Sequence, residues 1–225
     1  MTQLLDTWTT EAGAEDHMTD EHAWIWAGMI GALPPGDLTS SRVLDVGCNQ
    51  GGFLRMLYDT RPFAWGLGVD LARDRVALAE AAKGTRPVDY VASSHLSEAG
   101  TGFDIAFSHE VIYLMEDLLD HGRQVYDTLV PGGHYDAVTC CHRDNPLWAT
   151  WRPHIAQISN IPVPNHSIDD ISVAFRGAGF DVSVSRFLAA AQIPVYGPND
   201  YFPTDADRVE VYARWKLLFR CTRPG

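Results

Sequence analysis

The run Val43-Leu44-Asp45-Val46-Gly47-Cys48-Asn49-Gln50-Gly51-Gly52-Phe53 constrains this chain more than any other segment. An apolar stretch ends in Asp-x-Gly, a second glycine follows four residues after the first, and residues 53–58 have helical spacing. The pattern predicts a buried strand, a tight turn and a helix N-terminus. Gly47 suits backbone angles closed to other residues. Gly51 lets a ligand or a strand come close to the first helical turn. In open α/β sheets, nucleotide-like ligands bind at such a turn, at the carboxyl end of a parallel strand.

Strand and helix patterns alternate from there. Strands are expected at 42–46, 64–70, 88–92, 103–107 and 134–140, with helices at 74–82 and 115–129 between them. Pro131-Gly132-Gly133 is expected to end the second helix. A helix at 168–176, a strand at 180–187 and a last strand at 209–221 follow. This rhythm predicts an α/β fold with a doubly wound, mostly parallel seven-stranded sheet and an antiparallel last strand.

Three segments fall outside the rhythm. The first 36 residues hold Trp8, His17, His22, Trp24 and Trp26, with a helix expected at 21–33 that caps the sheet edge. Residues 142–166 look like a long irregular insertion, and 194–207 like a second. Loops of that length are more often functional than not. One domain spanning 1–225 is expected, with both insertions forming a lid over an acceptor.

Composition excludes several classes. With 17 Lys and Arg against 29 Asp and Glu, the net charge is -12. A nucleic-acid backbone or an anionic membrane needs the opposite sign. Cys48, Cys140, Cys141 and Cys221 form no C-x-x-C pair, so neither a disulfide framework nor structural zinc is expected. Cys140 and Cys141 should point to opposite faces of a strand. A reducing cytoplasm fits these thiols. No signal-peptide core or membrane-spanning run is seen.

Four stretches in order, VLDVGCNQGGF, GLGVDLARDRVALA, FDIAFSHEVIYLMED and LVPGGHYDAV, make residues 42–140 resemble the class I S-adenosylmethionine-dependent methyltransferases. The resemblance implies their Rossmann-like fold and S-adenosyl-L-methionine as cofactor. It places Asp70, with Leu71 beside it, on the two ribose hydroxyls, and Asp45 at the methionine end. Gly47, Cys48, Asn49 and Gly51 would line the sugar and methionine. Ser93 and Ser94 stand where an aspartate commonly meets the adenine. Ser108 and His109 would face the methionine and sulfonium. A dinucleotide fingerprint is disfavoured, because Asn49 stands where a pyrophosphate needs a second glycine.

Methyl transfer from a sulfonium needs position and desolvation first, and a base only when the acceptor must lose a proton. Base candidates are His109, Glu110, Tyr113, His142, His154 and His166, with His142 and His109 ranked first as catalytic residues. Glu110 has a simpler reading as a helix-start acid. Tyr113, Trp148, Trp151, Tyr196, Tyr201 and Phe202 are candidates for the acceptor pocket, or for a satellite core under the loops. Arg152 is the candidate for an acceptor carboxylate. No metal site is expected, and the sequence leaves the oligomeric state open. The expected activity is methyl transfer to an oxygen or nitrogen of a small molecule. The alternatives are cyclisation or rearrangement with the same cofactor, and an inactive partner subunit.

Overall fold

A computed structural model describes residues 4–10, 18–190 and 192–225. His17 lies outside the described residues. Seven strands form one sheet: β1 (Arg42–Val46), β2 (Trp65–Asp70), β3 (Val88–Ala92), β4 (Phe103–His109), β5 (Leu129–Thr139), β6 (Asp181–Arg186) and β7 (Leu217–Thr222). Their order is β3-β2-β1-β4-β5-β7-β6, and β7 runs antiparallel to both neighbours. The helices are α1 (Met18–Gly31), α2 (Gly52–Thr60), α3 (Arg73–Ala82), α4 (Leu118–Thr128), α5 (Trp148–Ile158), α6 (Ile168–Gly177) and α7 (Asp205–Glu210).

Side chains alternate across the strands and so feed two cores. Leu44, Val46, Ala106, Tyr135 and Phe219 pack with α4 and α6 on one face. Val43, Ile105, Phe107 and Val138 pack with α1, α2 and α3 on the other. A third cluster of Tyr113, Cys140, Cys141, Trp148, Trp151 and Phe202 sits beyond the carboxyl end of β5. Burying this apolar surface stabilises the layers by roughly 25 cal/mol per Å².

Local chemistry explains where the structure departs from the expected elements. Residues 209–221 are not one strand. Thr204 accepts the Asp207 amide as N-cap, Asp205 and Asp207 occupy the first turn, and α7 runs into a π-turn over Val211–Trp215 before β7 begins. The cap and the first-turn acids outweigh the β preference of Val209, Val211 and Tyr212. The 142–166 insertion is not irregular, since it contains α5. Pro131-Gly132-Gly133 does not end a helix. It lies within β5, where the pairing with β4 shifts register between Phe103 and Ile105. Cys140 and Cys141 follow β5 rather than lying in it, and both enter the third cluster instead of opposite faces. Ser167 caps α6 through a reciprocal box with Asp170.

Candidate active site

The glycine turn is built by its own neighbours. Gly47 has φ 75° and Gly51 φ 70°, angles that disfavour a side chain. At Gly51 the close approach comes from β3: a Cβ would lie 2.4 Å from the Tyr90 ring, and the Tyr90 hydroxyl donates to the Gly51 carbonyl at 2.9 Å. At Gly47 a Cβ would lie 2.3 Å from Val111 Cγ2. The Cys48 side chain is buried in the α2 face of the core.

Asp70 ends β2 and fastens two turns together. Its Oδ2 accepts the Asn49 amide at 2.8 Å and its Oδ1 accepts the Ala72 amide at 2.9 Å. A carboxylate has about four acceptor positions, so each oxygen keeps one for a ribose hydroxyl. Burial raises the Asp70 carboxyl, against the pull of the amides at Ala72, Asn49 and Leu71. Leu71 is half-buried, and its carbonyl accepts the Leu5 amide at 3.0 Å.

Asp45 lies on β1 opposite Gly68 of β2 and Phe107 of β4. It is 4% exposed, and no hydrogen bond reaches its carboxyl among the described residues. Burial, then the charge of Asp70, pushes its pKa up to about 8. On β4, the Ser108 hydroxyl is 2.6 Å from the Tyr135 hydroxyl inside the sheet, so Ser108 offers only backbone to the edge. Ser93 donates to Glu98 at 2.7 Å and accepts the His95 amide, while Ser94 beside it is half-buried.

His109 ends β4 with Nε2 sealed from water and without a partner. Its ring meets His22 of α1 edge-on, centroids 4.8 Å apart. Burial, then the Lys216 charge, then His22, hold the imidazole neutral well below the usual histidine range. His142 is fully buried and points elsewhere: its Nε2 is 2.9 Å from the Trp215 carbonyl, and Asp144 lies 3.8 Å from Nδ1. His166 Nε2 is spent on the Met115 carbonyl, and the His154 ring packs on Tyr201.

Beside His109, Glu110 takes φ 54°, strained for a residue with a side chain. It does not start a helix but anchors a buried network. Its carboxylate accepts from Thr139 Oγ1 at 2.6 Å, from the Cys140 amide at 2.9 Å and from Lys216 Nζ at 2.6 Å. Burial favours the protonated carboxyl, but Lys216 overcomes it and holds Glu110 well below the usual range. Glu110, Cys140 and Cys141 bring potential ligand atoms within 4.8 Å of one another. The cation placed there is the Lys216 ammonium. Neither Lys216 nor this network was visible in the sequence, where a lone lysine 106 positions away carries no signal.

Of the pocket candidates, Tyr113, Trp148 and Trp151 are buried in the third cluster, with Tyr113 edge-on to Trp148. The Trp151 indole N–H donates to the Tyr201 carbonyl. Tyr196 is 71% exposed and Tyr201 37%. The Arg152 Nε is committed to the carbonyls of Val163 and Pro164 at 2.8 and 3.2 Å. Residues 4–10 cross the carboxyl edge of the sheet as a strap. Leu5 bridges to Ala72 beside Asp70, and Thr9 bridges to Ser159 at the end of α5.

Residues 25–183 match the family model of a methyltransferase domain. No curated protein matches the sequence. Solved structures share the fold. The candidate methyltransferase in complex with the Haloferax volcanii Trm112 methyltransferase activator aligns at TM-score 0.80, with 23% identity over 95% of both chains. An S-adenosylmethionine-dependent methyltransferase from Mesorhizobium loti aligns at 0.65, with 21% identity over 90% of this chain and 99% of that one. Geranyl diphosphate C-methyltransferase from Streptomyces coelicolor, bound to Mg2+, geranyl diphosphate and S-adenosyl-L-homocysteine, aligns at 0.63. Its identity is 15%, over 88% of this chain and 77% of that one.

Proposed function

The chain belongs to the methyltransferase-domain family, and on that premise we propose that it uses S-adenosyl-L-methionine to methylate an oxygen or nitrogen of a small-molecule acceptor. When bound, the cofactor supplies an electrophilic methyl on its sulfonium. The observation that carries the reading is the Asp70 clasp: a buried carboxylate at the end of β2, shaped by two backbone amides and retaining acceptor positions toward the edge. Among the described residues, no hydrogen bond reaches the buried Asp45 carboxyl, and His109 Nε2 has no partner either.

His109, half-buried where His142 is fully buried, takes the acceptor's proton on a ring nitrogen as the methyl arrives. It rests neutral, so it need not lose a proton first. His142 is the weaker candidate, because its Nε2 already meets a carbonyl and its ring has no exposed surface. The strap at 4–10 and the segments 142–166 and 194–207 exclude water over the reacting groups. The acidic balance supports a small acceptor over nucleic acid, and the four free thiols support a cytoplasmic enzyme. No described helix is long and apolar enough to cross a membrane.

Calorimetry with S-adenosyl-L-homocysteine tests the cofactor, and mass analysis tests the chemistry: a product heavier by one methyl group, with demethylated cofactor, is expected. Intact cofactor alongside a rearranged product supports the cyclase alternative instead. A second reading, that the chain works with an activator subunit, is favoured by the end-to-end likeness to the Haloferax chain. Full turnover by the isolated chain removes it.

A further inference from the structure

Lys216, Arg220 and Arg208 lie buried or half-buried around the β5–β7 end of the sheet, and the first two are answered by carboxylates. Lys216 takes Glu110, and Arg220 grips Asp136 with Nε and Nη2 at 2.8 and 2.6 Å. Arg208 of α7 takes nothing. It is 6% exposed, its Nε is sealed from water without a partner, and no carboxylate or acceptor meets the guanidinium among the described residues.

The acids nearest in sequence are all engaged elsewhere. Asp205 accepts the Gly197 amide at 3.0 Å, Asp207 accepts the Thr204 hydroxyl at 2.7 Å, and Glu210 pairs with Arg214 at 3.1 Å. Two rings attend Arg208, Phe202 at 4.3 Å and Tyr196 at 5.0 Å from Cζ to ring centroid. Ring contact occupies the face of a guanidinium and leaves its planar fork of N–H donors open. A buried charge without a counter-charge is costly, so this arrangement suits a ligand that completes it.

The surroundings indicate what is attached to the anion. An open depression of about 670 Å³ is lined by Trp24, Ala190, Gln192, Ile193, Pro194 and Val195. Tyr196, which follows Val195, stacks on Arg208. Trp24 packs edge-on to Tyr212, centroids 4.9 Å apart, and Tyr212 lies against Lys216 at the end of the Glu110 network. The depression is thus linked to Arg208 through Val195 and Tyr196, and to the Glu110 network through Trp24 and Tyr212.

We propose that Arg208 is the anchor for a carboxylate on the acceptor, whose apolar or aromatic body lies against Trp24 and Pro194. This rests on the methyltransferase reading above. A monoanion fits better than a phosphate dianion, because one positive charge is on offer and Asp205, Asp207 and Glu210 share the helix. Arg152, with its Nε on two backbone carbonyls, is not the anchor.

The test begins with S-adenosyl-L-homocysteine bound to the full chain by calorimetry. Benzoate, benzamide, phenyl phosphate and acetate are then titrated into the loaded protein. Benzoate is expected to bind at least about tenfold tighter than benzamide, the difference expected of one charge-assisted fork. Arg208→Met is expected to erase that difference and Arg152→Met to preserve it. Equal binding of benzoate and benzamide, tighter binding of phenyl phosphate, or acetate binding as tightly as benzoate overturns the assignment. So does a preference that survives in Arg208→Met. Should that variant not fold, the Arg208 Nε–H resonance of the parent protein decides. A shift with benzoate and none with benzamide supports the anchor, and no shift with either overturns it. Failure to bind S-adenosyl-L-homocysteine overturns the functional reading as well, whereas binding without a benzoate preference overturns only Arg208.

Discussion

Lys216 Nζ lies 2.6 Å from Glu110 Oε1, with the lysine side chain 2% exposed and the glutamate 16%. The pair joins the end of β4 to the start of β7 through the middle of the acceptor end. Removing one member strands the other charge. Lys216→Met and Glu110→Gln are each expected to cost about 3–5 kcal/mol in urea unfolding, and the double variant less than their sum. Additive losses would show that the two charges do not interact.

Asp70 joins the two turns and, in the proposed site, the ribose. Asp70→Ala is expected to weaken S-adenosyl-L-homocysteine binding by about ten- to a hundredfold. Asp70→Asn keeps one acceptor oxygen and should lose less. Calorimetry on variants with parental circular dichroism checks both, and unchanged affinity removes Asp70 from the site.

Asp45 sets a proton count. With its carboxyl pushed up to about 8 by burial and by Asp70, it is mostly protonated at pH 7 in the free protein. If it ionises to meet the cationic end of the cofactor, binding at pH 7 releases close to one proton. Binding heats in two buffers of different ionisation enthalpy measure this. The release should vanish in Asp45→Asn.

The same groups give opposed pH effects on stability. Burial lowers His22 and His121 to about 4, so the unfolded chain, titrating near 6.5, binds more protons between those values. Their contribution is full above pH 6.5 and is lost as the pH falls toward 4. Asp45 runs the other way: its folded pKa exceeds its unfolded one, so it adds stability as the pH falls from about 8 toward 4. Urea melts of Asp45→Asn between pH 7.5 and 5 should therefore show a steeper acid loss than the parent.

For the base, burial and the Lys216 charge keep His109 neutral well below pH 6.5. The acidic limb of the kcat profile should accordingly lie below 6.5. His109→Gln should lower kcat by about a hundredfold and abolish that limb. His142→Gln should leave the limb in place, since His142 is tied to the Trp215 carbonyl. A His142 variant that loses the limb would reverse the assignment.

Much of the frame was legible in the residues alone. Strand 42–46, the glycine turn after it and the acid ending β2 follow from apolar runs and punctuation, signals carried within a few neighbours. The doubly wound, mostly parallel sheet follows from their alternation, while the strand order is read from the structure. Residues 209–221 read as one strand, but the Thr204 cap and two first-turn acids outweigh the β-branched residues there. Trp148 and Trp151 carry the same letters whether they wall a pocket or fill a core, and packing placed them in the core.

The charges around the acceptor end belong to the second kind of information. Glu110 and Lys216 stand 106 positions apart, and only the return of β7 beside β5 makes them partners. His142 and His109 look alike in sequence, yet one is fully buried with Nε2 on the Trp215 carbonyl and the other is half-buried at the end of β4. Arg208 is notable for lacking a counter-ion among the described residues, and a missing partner is a property of three-dimensional packing. Local order is written in periodicity and turn chemistry because those forces act between near neighbours. Burial and charge pairing depend on which distant segments the closed fold brings together, so the tertiary structure alone decides them.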